Sequence, residues 1–257
     1  MGVRRPRSAL SLTIFAVVSF LIIAGLVGLG AWQVERRAWK LRLIAQVQQR
    51  LSSPPVDAPG PATWAGMTPD RDAYRRVHVH GVFLHDRATL VQAVTALGAG
   101  FWVMTPLRTD RGFDVLVNRG FVVAPVRLPA TGGPAGAVDV VGLLRLTEPK
   151  GGFLRSNDPA TGHWFSRDVA AIAAARGLSH VAPYFIDADR TGPADALAKG
   201  APVGGLTVVA FPNNHLVYEI TWFGLALMAV GGVGFVARDE WRLRRTGAET
   251  GAGAGRS

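Results

Sequence analysis

The sequence predicts a membrane protein with two transmembrane helices flanking a β-rich α+β extracytoplasmic domain. Three observations predict it. Two long runs near the ends of the chain carry no charged side chain, and basic residues bracket both runs. Between them, apolar side chains recur at every second position in several short segments.

The first run is free of charge from Ser8 to Val34, and Leu10 to Trp32 would form a helix of about 34 Å, slightly longer than a bilayer core. A cleaved signal peptide is the rival reading. The run is long for a signal h-region and no A-x-A-like site ends it, so an uncleaved anchor is expected. The second run, Ile220 to Ala237, reaches spanning length when Leu216 to Glu219 are added. Glycines crowd both runs, at Gly25, Gly28, Gly30, Gly224, Gly231, Gly232 and Gly234. Small residues allow close approach in lipid, so the two spans are expected to pack together.

The expected organisation is a cytoplasmic N-terminus (1–9), a first span (10–32), an extracytoplasmic domain (33–214), a second span (215–237) and a basic, disordered cytoplasmic tail (238–257). Arg4, Arg5, Arg7, Arg238, Arg242, Arg244 and Arg245 on the terminal flanks outnumber Arg36, Arg37, Lys40 and Arg42 after the first span. That bias places both termini in the cytoplasm. The same bracketing explains the net charge of +10 and the pI near 11.2 as membrane anchoring, and no nucleic-acid partner is expected.

The domain reads as strands in order. "RRVHVHGVF" alternates, with Val77, Val79 and Phe83 on one face and His78 and His80 on the other. "ATLVQAV" follows. "FWVMTPLRT" and "FDVLVNRGFVV" flank an Asp110-Arg111-Gly112 turn and predict a hairpin; "VDVVGLLRL" and "APYFIDA" add strands. One soluble helix is predicted, with Ser166 as N-cap, Asp168 in the first turn, an Ala-rich body over 169–176 and Gly177 as its stop. Val34, Ala38, Leu41, Ile44 and Leu51 recur at helical spacing, so helix should continue outward from the first span. Pro/Gly-rich loops are expected over 52–70, 124–137 and 191–205.

The absence of cysteine excludes disulfides, thiolate metal sites, a cysteine nucleophile and covalent haem attachment. It also weighs against copper delivery. No G-x-S-x-G elbow, H-E-x-x-H, P-loop or G-x-G-x-x-G after a strand is present, and no enzyme is expected. His78 and His80 share a strand face but lack a third ligand at a telling spacing, apart from His85 in the next loop. They are expected on a solvated face. His163 and His180 stand alone in loops. Asp187, Asp189 and Arg190 read as a polar turn after a strand.

His215 is different. With Asn213 or Asn214 as N-cap it falls in the first turn of the second span. The positive end of the helix dipole disfavours imidazolium there, and a neutral imidazole is the form that ligates metal. Glu219 lies one turn deeper on the same face, with Trp222 seven residues on. Intramembrane ionisable residues are functional candidates by default. The bland alternative has His215 and Glu219 as shallow interface markers within a belt of Tyr218 and Trp222.

Several stretches together resemble the surfeit locus protein 1 family, the assembly factors of cytochrome c oxidase. "LGAWQVERRAWK" resembles the end of the family's first span, with Trp32, Gln33, Arg36 and Lys40 in place. "VMTPL" with "VLVNRGFV" resembles its central hairpin, "RSNDP" and "HWFSRD" its middle, and "PNNHLVYEITWFGLAL" its second span. The resemblance implies a two-span protein that binds haem a and assists its insertion into oxidase subunit I, with haem a synthase as a further partner. A haem-free scaffold for oxidase assembly is the alternative. Nine residues precede the first span, which points to a bacterial inner membrane rather than a transit peptide. The family's second-span histidine, the proposed axial ligand, corresponds to His215. Trp32 and Trp222 are expected to line the haem cleft, and Glu219, where the family more commonly has a small or apolar residue, to act on the imidazole.

Overall fold

The computed structural model describes residues 7–124, 133, 135–149, 151, 155–191, 200–207 and 214–253, with side chains as far as Arg245. It falls into two compact units, one built from the two terminal segments and one from residues 46–210.

The terminal unit is a helix pair. Helix α1 runs unbroken over Ala9–Ser52, so the helix predicted beyond the first apolar run is a direct continuation of it. No proline interrupts it, and Pro54-Pro55 follow its end, where proline cannot continue a helix. The last helix, α4 (His215–Gly253), continues through much of the segment expected as a tail. Both helices are long and apolar enough to cross a membrane. Their large apolar side chains are mostly exposed, with Phe20 at 70%, Leu227 at 74% and Phe235 at 73%.

Polar groups join the two helices at both ends. At one end the Arg7 N–H donates to the Glu240 carboxylate at 3.0 Å, and Arg244 Nε donates to the same group at 3.0 Å. At the other, His215 meets Gln33 and Glu219 meets Arg37. About 25 residues separate the two ends in each helix, a rise of about 38 Å. The expected role of the glycines needs correction. A Cβ on Gly30 would lie 2.8 Å from the Phe223 ring, but one on Gly25, Gly28, Gly224, Gly231, Gly232 or Gly234 would meet nothing within 4 Å. Only Gly30 serves a close contact.

The domain is a seven-stranded sheet rolled on itself. Its strands are β1 (Val56–Asp57), β2 (Arg76–Phe83), β3 (Thr89–Thr95), β4 (Gly98–Thr109), β5 (Asp114–Val123), β6 (Ala137–Leu146) and β7 (Val181–Ala188). Their order is β1-β2-β6-β7-β5-β4-β3, and an extra β2–β4 pairing closes β2, β6, β7, β5 and β4 into a ring. Every predicted strand is present. The ring closure was not expected, and it depends on Gly81. A Cβ there would sit 2.2 Å from the Arg108 carbonyl oxygen, so only glycine lets β2 approach β4. The β4–β5 hairpin turns where predicted, with Gly112 at φ +79° and the Thr109 hydroxyl donating to the Phe113 carbonyl at 2.8 Å.

Alternation along the strands builds two cores. Val77, Val79, Val115, Val117, Tyr184 and Ile186 fill the inside of the ring. Leu116 and Phe185, one residue out of phase, join Met104, Trp164 and Ile172 outside it. Helix α3 (Val169–Ala175) covers that outer core, and a single-turn helix α2 (Pro69–Asp72) precedes β2. The predicted cap of α3 is corrected. Asp168 Oδ1 accepts from Ala171 N–H at 3.1 Å, whereas the Ser166 hydroxyl accepts from Gly151 N–H and Asn157 Nδ2 in the preceding loop. The loop expected over 52–70 contains β1, a 3₁₀ segment (Pro61–Gly66) and the start of α2. Most of the loops expected over 124–137 and 191–205 lie outside the described residues.

Candidate functional site

His215 is the first residue of α4, with Asn214 in the cap position; Asn213 lies outside the described residues. The imidazole is half-buried, and its Nδ1 lies 2.8 Å from Gln33 Oε1 on α1. Gln33 is itself only 7% exposed. A carbonyl oxygen can only accept, so this contact is a hydrogen bond when Nδ1 carries the hydrogen. Among the described residues nothing bonds to Nε2. An imidazole held by one nitrogen and open at the other is the arrangement seen where a histidine ligates a metal.

The contact expected between Glu219 and the imidazole is not made. Glu219 lies instead 3.8 Å from Arg37 Nη1, beyond hydrogen-bonding range. Among the described residues its buried Oε2 has no hydrogen-bond partner, and neither does Trp222 Nε1. Two orphaned polar atoms on the turns below His215 are costly unless something meets them. Phe223, next to Trp222 in α4, lies against Gly30 of α1. Trp32 does not join this group in the same way. It precedes Gln33 by one residue, about 100° around the helix, and is 54% exposed.

The other candidates resolve separately. His78 pairs with Asp57 at 2.7 Å and His80 with Asp139 at 3.0 Å, each exposed on the strand face where the alternation put it. His163 Nδ1 bonds the Thr161 hydroxyl, and His180 Nδ1 donates to the Gly112 carbonyl at 2.9 Å. His85 sits against Phe83 and Arg119. Among the described residues no group of three or more His, Asp or Glu could hold a metal ion.

Sequence reasoning missed a buried ionic network in the domain. Asp187, read as part of a polar turn, lies within β7 and is 3% exposed. Its carboxylate accepts from Asn118 Nδ2 at 2.8 Å, Arg145 Nη1 at 3.1 Å, Arg167 Nη1 at 3.1 Å and the Thr207 hydroxyl at 2.9 Å. Glu148 joins the two arginines from the other side, at 3.0 and 2.7 Å. Burial alone would lower the Arg167 pKa, but Asp187 and Glu148 outweigh it and hold the guanidinium above its usual range. The only hint in the sequence was an aspartate continuing an otherwise strand-like run.

These features define a class, a closed β-barrel domain inserted between two span-length apolar helices, with a histidine bonded across the helix pair. The profile of the SURF1 family matches residues 20–227. Surfeit locus protein 1 of Mus musculus is 38% identical over 224 residues, covering 80% of this chain and 70% of that protein. Its counterpart in Homo sapiens is 38% identical over 229 residues, covering 81% and 73%. A SURF1-like protein of Drosophila melanogaster is 33% identical over 227 residues, covering 80% and 72%. The chain belongs to the SURF1 family.

Proposed function

We propose that this protein is an assembly factor of cytochrome c oxidase that binds haem a and assists its insertion into oxidase subunit I. It acts from a bacterial inner membrane, with both termini cytoplasmic, the β-barrel domain outside and lipid covering the exposed apolar faces of α1 and α4. Haem a is cargo, received from haem a synthase and passed on, so the protein is a carrier and no enzyme.

The observation that carries this reading is His215. Its Nδ1 is engaged by Gln33 and its Nε2 is open, at the end of an apolar helix pair. A haem needs an axial imidazole and an apolar cleft for the macrocycle. His215 would supply the first; Trp222, Gly30 and Phe223 would supply the second. The Trp222 N–H and Glu219 Oε2, without hydrogen-bond partners among the described residues, are the polar groups that would meet the rim of the cargo. A site with one strong ligand also permits release, as a carrier requires.

The test is the absorption spectrum of detergent-purified protein from cells that make haem a, compared with His215→Ala. A Soret band lost or strongly shifted in the variant, with the protein still in the membrane, is the expected result. Colourless wild-type protein would leave the haem-free scaffold as the function. An unchanged spectrum in His215→Ala would remove His215 as ligand.

A further inference from the structure

A glutamine at the end of an apolar run is an odd choice. Buried at 7% exposure, its amide costs free energy unless it is hydrogen bonded. Its partner is the imidazole of His215, 182 residues away in sequence and 2.8 Å away in space. The carboxylate one helical turn along α4 does not compete, because Glu219 is drawn to Arg37 and makes no hydrogen bond to the ring.

We infer that Gln33 is the positioning residue for His215, its carbonyl oxygen fixing the imidazole in the Nδ1–H tautomer and presenting the Nε2 lone pair to a haem iron. The metal role rests on the haem reading above; the tautomer does not. Which ring nitrogen is free is set by the hydrogen bond made by the other. Without an acceptor at Nδ1, the proton is free to occupy Nε2, and an imidazole protonated at Nε2 has no lone pair there. The choice of an amide has its own consequence. A carboxylate at this position would also hold Nδ1–H but would add negative charge to the ligand, strengthening its donation to the metal. A neutral acceptor orients the ring and leaves the bond to the cargo moderate, which suits transfer.

The test uses the full chain in detergent with nitrogen-labelled histidine. The haem-free protein is read first, with the His215 signals assigned by their loss in His215→Ala. Wild type is expected to show Nδ1 protonated and Nε2 bare. Gln33→Leu, similar in size without an acceptor, should shift His215 toward Nε2–H. Gln33→Asn keeps an amide but shortens the reach by one methylene, and should do the same without adding apolar surface. Titration with haem b follows. Both variants should bind about ten- to a hundredfold more weakly, the range usual when the partner of a metal-bound histidine is removed. Gln33→Glu should restore binding and lower the haem reduction potential. An unchanged tautomer in Gln33→Leu and Gln33→Asn overturns the inference. So does unchanged haem affinity in those variants when His215→Ala abolishes binding. If His215→Ala binds haem as wild type does, the haem reading fails, and the tautomer shift still decides the role of Gln33.

Discussion

Replacing Asp187 with alanine should cost the domain more than any other single change of charge. The carboxylate is 3% exposed and accepts four hydrogen bonds, two of them from arginines whose side chains are 18% and 14% exposed. Its removal leaves Arg145 and Arg167 both leaning on Glu148 alone, and leaves the Asn118 amide and the Thr207 hydroxyl without their acceptor. Breaking a buried pair by deleting one partner costs about 3–5 kcal/mol, because the remaining charge is stranded rather than because the pair is strong. For a domain of this size each kcal/mol lowers the melting temperature by about 2–4 °C, so a fall of about 6–20 °C is expected. Thermal melts of the full-length protein in detergent, followed by the far-UV signal of the sheet, measure it. The double change Asp187→Leu with Arg167→Met removes one charge of each sign and should recover part of the loss. A fall below about 2 °C for Asp187→Ala, or losses that simply add in the double variant, would refute the stranded-charge account.

Gly81→Ala should open the β2–β4 seam, since its Cβ would lie 2.2 Å from the Arg108 carbonyl oxygen. A loss of about 1–3 kcal/mol in denaturant titration, with faster hydrogen exchange at Leu84, whose N–H donates to the Pro106 carbonyl across this seam, than at Val77, is expected. At Asp72, burial pushes the carboxyl up, but the Thr68 N–H, Arg71 and Arg75 outweigh it and hold the pKa below the ordinary value. Its contribution is therefore complete above about pH 4 and fades as the pH falls through the folded pKa. The stability gap between wild type and Asp72→Asn should shrink between pH 7 and pH 3, and a constant gap would contradict the assignment. For topology, a reporter fused after Arg245 should be active only in its cytoplasmic form, and one inserted within residues 52–61 only in its periplasmic form. The reverse pattern would turn the protein over in the membrane.

What could be read from the sequence was what is local or periodic. Strands announced themselves because Val77 and Val79, or Val115 and Val117, must face one side while their neighbours face the other. The β4–β5 turn was legible because Gly112 adopts a backbone conformation that other residues avoid. Pairings across long separations were not legible. Asp187 looked like a turn residue because its four partners come from four other segments. Gln33 carried no sign of its bond to His215, since the facing register of two helices cannot be read from either one alone. Gly81 was not singled out in the sequence, since nothing local names β4 as the strand it must approach. The glycines of the apolar runs misled for a related reason. Small residues permit close approach without requiring it, and only Gly30 is used. Ser166 was expected as the cap with Asp168 in the first turn, but a loop claims Ser166 and leaves the cap to Asp168.

The polar junctions at the two ends of the helix pair have a mechanical consequence. A slip of α4 along α1 by one helical turn is about 5.4 Å, more than any hydrogen bond can stretch, and it would break both ends at once. A change of angle about the Arg7–Glu240 end breaks only the junction at Gln33 and His215. Rearrangement at the histidine is therefore opposed as a stroke and permitted as a swing, with the far end as its pivot.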